Sequence, residues 1–175
     1  MTSVTYPNDT AQNVAFGYDS CTGGAGRLCS VTDASGTTTY AYDLLGRVTE
    51  VEETRSGPLT FTTAYEYDLA GVVTKITLPS GREVTYGLNA NGQTNAVTAD
   101  VAGSPVNLAT SITYLPFGPQ TGMTYGSALT FSATYDQNYW PLSRAVSSLY
   151  SHAYYPHKRC DMALYKERPL TVVEI

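Results

Sequence analysis

Charge is scarce in this sequence of 175 residues. Asp, Glu, Lys and Arg supply only 14% of it, where soluble domains usually carry about 25%. Lysine occurs three times, which speaks against a surface of helices laced with Glu–Lys pairs. No apolar run approaches the roughly 18 residues of a membrane-spanning helix, so no membrane span is expected. The opening residues MTSVTYPNDT hold neither the basic region nor the apolar stretch of a signal peptide. Three cysteines are too few for a disulfide-built miniprotein. Basic residues are outnumbered as well: ten Lys and Arg face fifteen Asp and Glu, a net charge of −5. That balance weighs against a nucleic-acid partner.

What is abundant points one way. Threonine fills 25 positions and tyrosine 15, together 40 of 175, and there are 15 glycines. Thr and Tyr suit a pleated, half-buried surface, and Gly punctuates turns. The expected class is all-β.

The tyrosines recur in register. Tyr40-Ala41-Tyr42-Asp43-Leu44-Leu45-Gly46-Arg47-Val48-Thr49 returns as Tyr65-Glu66-Tyr67-Asp68-Leu69-Ala70-Gly71-Val72-Val73-Thr74. A fainter copy is Tyr86-Gly87-Leu88-Asn89-Ala90-Asn91-Gly92-Gln93, with Leu for the second Tyr and Asn for Asp. Phe16-Gly17-Tyr18-Asp19 opens an earlier copy, delayed by the insertion CTGGA, and Thr134-Tyr135-Asp136 is a last partial one. The steps from Tyr18 to Tyr42 and Tyr67 are 24 and 25 residues; the next, to Leu88, is 21, and the last, to Tyr135, is 47, about two further units. Self-similarity at a fixed period is the signature of a repeat architecture.

Each unit reads as two strands and two turns, with strands over 46–53, 59–68, 72–79, 82–89 and 93–100, and a turn at Ser80-Gly81. Strict alternation puts Val48, Glu50 and Glu52 on one face and Thr49, Val51 and Glu53 on the other. Neither face is then wholly apolar, which suits a sheet wetted on at least one side. The two Tyr of Tyr-x-Tyr-Asp share a face, so stacked copies would bring their rings together across strands. The Asp can bond the backbone two residues on and open the turn. The Gly three residues later supplies a positive φ.

These motifs resemble the tyrosine-aspartate (YD) repeats of the Rhs family, over about residues 14–136. The carrying residues are Tyr40, Tyr42, Asp43, Gly46 and Arg47, then Tyr65, Tyr67, Asp68 and Gly71, then Pro79-Ser80-Gly81-Arg82, and Tyr86 with Asn89 and Gly92. The family includes bacterial Rhs polymorphic toxins, the C components of insecticidal toxin complexes, and the animal teneurins. The resemblance implies an antiparallel β-sheet ribbon that spirals into a hollow shell, enclosing a C-terminal effector in the toxins. It implies neighbouring Rhs repeats and that effector as partners, and a secreted or cell-surface location. Members that release their cargo carry an Asp-Pro signature for self-cleavage; no Asp-Pro dipeptide occurs here, so self-cleavage is not carried over. A chain of this length holds too few repeats to close a shell and is expected to be a fragment or remnant of a longer array.

Residues 1–139 form the repeat region, and residues 140–175 read as a tail. The tail has no Gly, the only Trp, and five basic against three acidic residues, where residues 1–139 have five basic against twelve acidic. Leu142, Ala145, Val146, Leu149, Tyr150 and Ala153 fall at helical spacing behind Pro141, so one expectation is a short C-terminal helix. The other is non-native sequence after a broken repeat.

Chemistry finds little purchase. His152, His157, Cys160 and Asp161 form a loose cluster whose spacing fits no closed zinc site. Glu50 with Glu52, and Glu66 with Asp68, are carboxylate pairs of the kind glycosidases use, but charges on strand faces mostly solvate a sheet. No G-x-S-x-G elbow is present, and Gly23-Gly24-Ala25-Gly26 lacks the Lys-Ser/Thr of a phosphate loop. No catalytic residue, metal or cofactor is expected. Cys21 and Cys29 bracket the segment TGGAGRL and could close it as a disulfide or remain free thiols. The function expected is structural, with Tyr18, Asp19, Tyr42, Tyr67, Tyr135 and Asp136 among the residues holding the ladder. The alternative is a module that recognises cell-surface glycans through exposed Tyr rows.

Overall fold

The computed structural model describes residues 2–55, 57, 59–116, 118–126 and 128–154. Fourteen strands follow one another in chain order: β1 (Ser3–Val4), β2 (Val14–Tyr18), β3 (Leu28–Asp33), β4 (Gly36–Tyr42), β5 (Val48–Arg55), β6 (Leu59–Tyr67), β7 (Val73–Thr77), β8 (Glu83–Leu88), β9 (Thr94–Val101), β10 (Ser104–Tyr114), β11 (Gln120–Tyr125), β12 (Leu129–Tyr135), β13 (Pro141–Val146) and β14 (Tyr150–Ala153). Each pairs antiparallel with the next, giving one open 14-stranded sheet in the order β1 to β14. A single 3₁₀ turn at Thr10–Gln12, capped by Asp9, is the only helical element among the described residues. The fold is all-β, as the Thr/Tyr/Gly excess implies.

The helix expected around Leu142 to Ala153 is not formed. β13 and β14 occupy that stretch and extend the sheet. Val146 and Tyr150, four apart, are partners across a hairpin turn and not neighbours on a helix face. Residues 155–175 of the tail, including His157, Cys160 and Asp161, lie outside the described residues.

Strict alternation also fails, at one recurring place. Tyr40 pairs with Val51 but Tyr42 with Val48, so a β-bulge on β5 puts Val48 and Val51 on the same face. This corrects the grouping of Val48 with Glu50 and Glu52. The same register shift recurs at Tyr18/Leu28, Tyr67/Val73, Leu88/Thr94, Tyr114/Gln120 and Tyr135/Pro141. A bulge bends its strand and increases local twist; six along one end of a sheet curve it systematically.

With the bulges included, the two faces differ in chemistry. Tyr65, Ile76, Val84, Ala99 and Val106 are partners in one row across β6 to β10. The adjacent row, on the opposite face, reads Glu66, Lys75, Thr85, Thr98 and Asn107. There Lys75 bonds Glu66 at 2.6 Å and Glu83 at 3.2 Å, and these two partners, Glu66 foremost, raise its pKa.

No second layer covers the apolar face among the described residues. Its buried hydrophobic residues are small: Cys29, Ala99, Ala109 and Ala133. Large ones on that face stay open, with Leu59 58% and Phe61 40% exposed. A domain normally buries such a face against another element.

Candidate functional site

The feature that repeats through the molecule is the connection after each Tyr-Asp. Because every strand pairs with its successor, alternate connections lie at the same end of the sheet. That end holds the connections β2–β3, β4–β5, β6–β7, β8–β9, β10–β11 and β12–β13.

Five of these share one hydrogen-bond pattern. At 43–47, Asp43 N donates to Arg47 O at 3.0 Å and Gly46 N to Asp43 O at 3.0 Å. The same two bonds close 68–72, 89–93, 115–119 and 136–140. In four of the five the side chain at the first position completes the turn. Asp43 Oδ1 accepts from Leu45 N and Arg47 N, both at 2.9 Å, and Asp68 Oδ1 from Val72 N at 2.8 Å. Asn89 Oδ1 accepts from Asn91 N and Gln93 N, and Asp136 Oδ1 from Asn138 N and Trp140 N. An amide oxygen accepts as a carboxylate does, which is why Asn89 replaces Asp without breaking the turn. These donors, with the Arg47 backbone N–H foremost, hold the Asp43 carboxyl below its usual 3.8.

The fourth position takes a positive φ at Gly46 (81°), Gly71 (89°) and Gly92 (74°). In the last turn Tyr139 adopts φ 63° there. Its ring lies where a Cβ on Gly118 would go, and its hydroxyl donates to Pro116 O at 2.7 Å. A contact to the preceding turn thus holds a side chain in a conformation that favours glycine.

In four copies the second tyrosine locks the turn to the sheet. Tyr42 Oη donates to Leu28 O at 2.6 Å, Tyr67 to Val48 O at 2.6 Å, Tyr114 to Thr94 O at 2.8 Å and Tyr135 to Gln120 O at 2.9 Å. Each acceptor is the first residue of the neighbouring strand. Leu88 holds this position in the faint copy and has no hydroxyl to give. Tyr40, Tyr65 and Tyr86 lie on the same strand faces and are half-buried. Gly92 completes the 89–93 turn, whereas Gly81 sits in a like turn, 78–82, at the opposite end of the sheet.

Tyr114 belongs to a copy that sequence reading passed over, Tyr114-Leu115-Pro116-Phe117-Gly118, where Leu stands for Asp. The signal available was its place between Leu88 and Tyr135, 26 residues after the one and 21 before the other.

Arginine joins successive turns. Arg47 bonds Asp43 Oδ2 through Nε at 2.6 Å, donates from Nη1 to Asp68 O at 2.8 Å, and lies 4.6 Å over the Tyr67 ring. Arg27 lies 5.7 Å over the Tyr42 ring and fills the space beside Gly46.

The first connection is longer. Asp19, at φ 68°, accepts from Gly26 N at 2.6 Å. Cys21 and Cys29 are joined as a disulfide with Cα atoms 5.3 Å apart. Gly24 packs against both sulfurs, so a side chain there would collide with them. Tyr42 N donates to Thr22 O at 2.9 Å, pinning the loop to the end of β4. Tyr18 is 43% exposed.

The remaining candidates are dispersed. Glu66 serves Lys75, and Asp68 closes its turn. His152, on β14, lies parallel to the Tyr150 ring and meets the Tyr154 ring edge-on. Among the described residues no group of His, Cys, Asp and Glu is placed to hold a metal ion, and no helix is long and apolar enough to cross a membrane.

Comparison with known proteins agrees with this geometry. Residues 24–57 match the family model RHS Repeat. No curated protein matches the chain. Among solved structures, TcdB2-TccC3 without its hypervariable C-terminal region superposes with TM-score 0.75 at 16% identity, over 87% of this chain and 9% of that one. The TcdB2-TccC3-Cdc42 structure gives TM-score 0.71 at 15% identity, over 82% and 8%. The Photorhabdus luminescens Tc holotoxin pore, carrying a TccC3 substitution, gives 0.69 at 16%, over 82% and 8%. The chain therefore spans less than a tenth of the length of the proteins whose fold it shares.

Proposed function

We propose that this RHS-repeat chain is a length of shell wall, a structural segment whose apolar face turns inward toward an enclosed effector. The observation that carries the reading is the single-layer sheet with a repeated latch. Four tyrosine hydroxyls and two arginines serve the ladder itself, and the chemistry left over builds no catalytic centre among the described residues. A one-layer sheet with Leu59, Phe61 and Val106 open on one face suits a wall whose inner side meets other protein. Its outermost described strands, β1 and β14, offer edges on which neighbouring RHS repeats can continue. A secreted toxin is the setting this reading favours, since the folds it resembles include a Tc holotoxin pore.

The hydroxyls of the tyrosine row also bear on the glycan alternative. Tyr42, Tyr67, Tyr114 and Tyr135 donate to backbone carbonyls, so the hydroxyls of that row are engaged. We expect no hit for the soluble chain on a glycan array.

Hydrogen exchange tests the wall reading. In the protein as its gene encodes it, the amides of β14 should exchange as slowly as those of interior β7 or β8, because further chain pairs with them. Exchange of the β14 amides at the rate of the turn residues Leu44 and Leu69 would overturn the reading.

A further inference from the structure

Down the row of turns, the residue after each turn's fourth position is in register with the tyrosine position of the next copy. The pairs are Arg27 with Tyr42, Arg47 with Tyr67, Val72 with Leu88, Gln93 with Tyr114, and Pro119 with Tyr135. In the first two a guanidinium covers the ring, at 5.7 and 4.6 Å. Where the ring is replaced by Leu88, the arginine is replaced by Val72, so ring and cation are absent together.

The Gln93–Tyr114 and Pro119–Tyr135 steps keep the ring and lack the cation, and the first of them adjoins a cleft. Gln93 is turned back on its own turn, its Oε1 accepting from Asn89 Nδ2 at 3.0 Å. The cleft measures about 430 Å³, and its lining residues include Tyr114 and the four amide residues Asn89, Asn91, Gln93 and Asn95. All of its lining residues are uncharged.

We propose that this cleft binds a guanidinium group, presented as the arginine side chain of another protein segment. The aromatic ring attracts a cation placed over it; the Asn89 and Gln93 oxygens already accept within their turn, and the carboxamide oxygens of Asn91 and Asn95 are left to accept from a guanidinium. No lining group repels a cation, and residues 1–139 carry twelve acidic against five basic residues, a field that draws cations in. An anion would meet no fixed positive charge. The volume lies within the range of ligand sites, about 300–1,000 Å³, and leaves room for peptide on either side of the side chain. That favours a chain-borne arginine over a free small guanidinium.

The test is an amide NMR titration of the chain with acetyl-Gly-Arg-Gly-amide. Its citrulline analogue and methylguanidinium serve as the two comparisons. We expect saturable shifts at Asn91, Gln93 and Leu115 in the millimolar range, with citrulline and methylguanidinium each at least tenfold weaker. Gln93→Arg should supply the missing cation from within the chain, as Arg47 does. It should therefore raise Tm while abolishing the peptide shifts, a loss that unfolding cannot explain. Tyr114→Leu should abolish them as well. Absence of shifts in the unaltered chain, equal binding of the citrulline peptide, or undiminished binding by a folded Gln93→Arg protein would each overturn the proposal. Equal binding of methylguanidinium would overturn the assignment to a protein segment.

Discussion

Arg47 lies 4.6 Å over the ring of Tyr67 and so ties one YD turn to the next. The same arginine bonds Asp43 in its own turn and the Asp68 carbonyl in the following one. Replacing it with Met keeps the stem but removes the fork. A loss of about 1–2 kcal/mol is expected from the charge-assisted bonds and the ring contact, read as a lower denaturation midpoint. Arg47→Lys should recover only part of it, because an ammonium cannot reach all three partners in the same geometry.

The tyrosine hydroxyls separate into two classes. Tyr67→Phe removes the 2.6 Å bond to Val48 O and should cost about 1 kcal/mol. Tyr65→Phe removes a hydroxyl with no protein partner among the described residues and should be near neutral. Parallel urea melts of the two variants check this, and equal losses would contradict the latch.

Glycine at two turns distinguishes backbone strain from packing. Gly81, at φ 77°, has open space where a Cβ would sit, whereas a Cβ on Gly46, at φ 81°, would strike the Arg27 guanidinium. Gly81→Ala should cost about 1–2 kcal/mol from the left-handed backbone alone. Gly46→Ala should cost at least about 1 kcal/mol more, because it also displaces Arg27. Thermal melts of the pair measure the difference.

Acid should loosen the turns through Asp43. Its folded pKa lies below the usual 3.8, so its contribution is present above the unfolded value and disappears as pH falls through the folded one. Asp43→Asn keeps the backbone acceptor, as Asn89 does, and removes the titration. The variant should lose stability at neutral pH and show a shallower fall of Tm between pH 5 and pH 2 than the unaltered protein.

The disulfide predicts its own thiol count. With Cys21 and Cys29 joined, one thiol of the three cysteines should react in non-reducing denaturant, and three after reduction. Reduction should lower stability by about 2–3 kcal/mol for a loop of this length.

Much of this molecule was legible in its sequence, because the repeat is written in residues whose side chains do the joining. Tyr42, Asp43, Gly46 and Arg47 each have a separate task in one turn, so their spacing carries the turn whole. The bulges were not legible. They move Val48 onto the face of Val51 through a register shift, and no residue type marks an extra residue in a strand. The copy at Tyr114 was hidden because Leu115 keeps the turn's backbone bonds without the Asp side chain. The strands at 141–153 passed for a helix because a tight hairpin places Val146 opposite Tyr150, a spacing of four that a helix also gives. Pairing with β12 decided the outcome over local pattern.

Electron microscopy of the protein as its gene encodes it tests the central claim most directly. The account predicts a hollow particle whose wall is one sheet thick, with β1 and β14 paired to further strands and the Tyr65–Val106 row facing inward. A solid particle, or one in which residues 14–153 form a separate lobe with the Glu66–Asn107 row innermost, would contradict it.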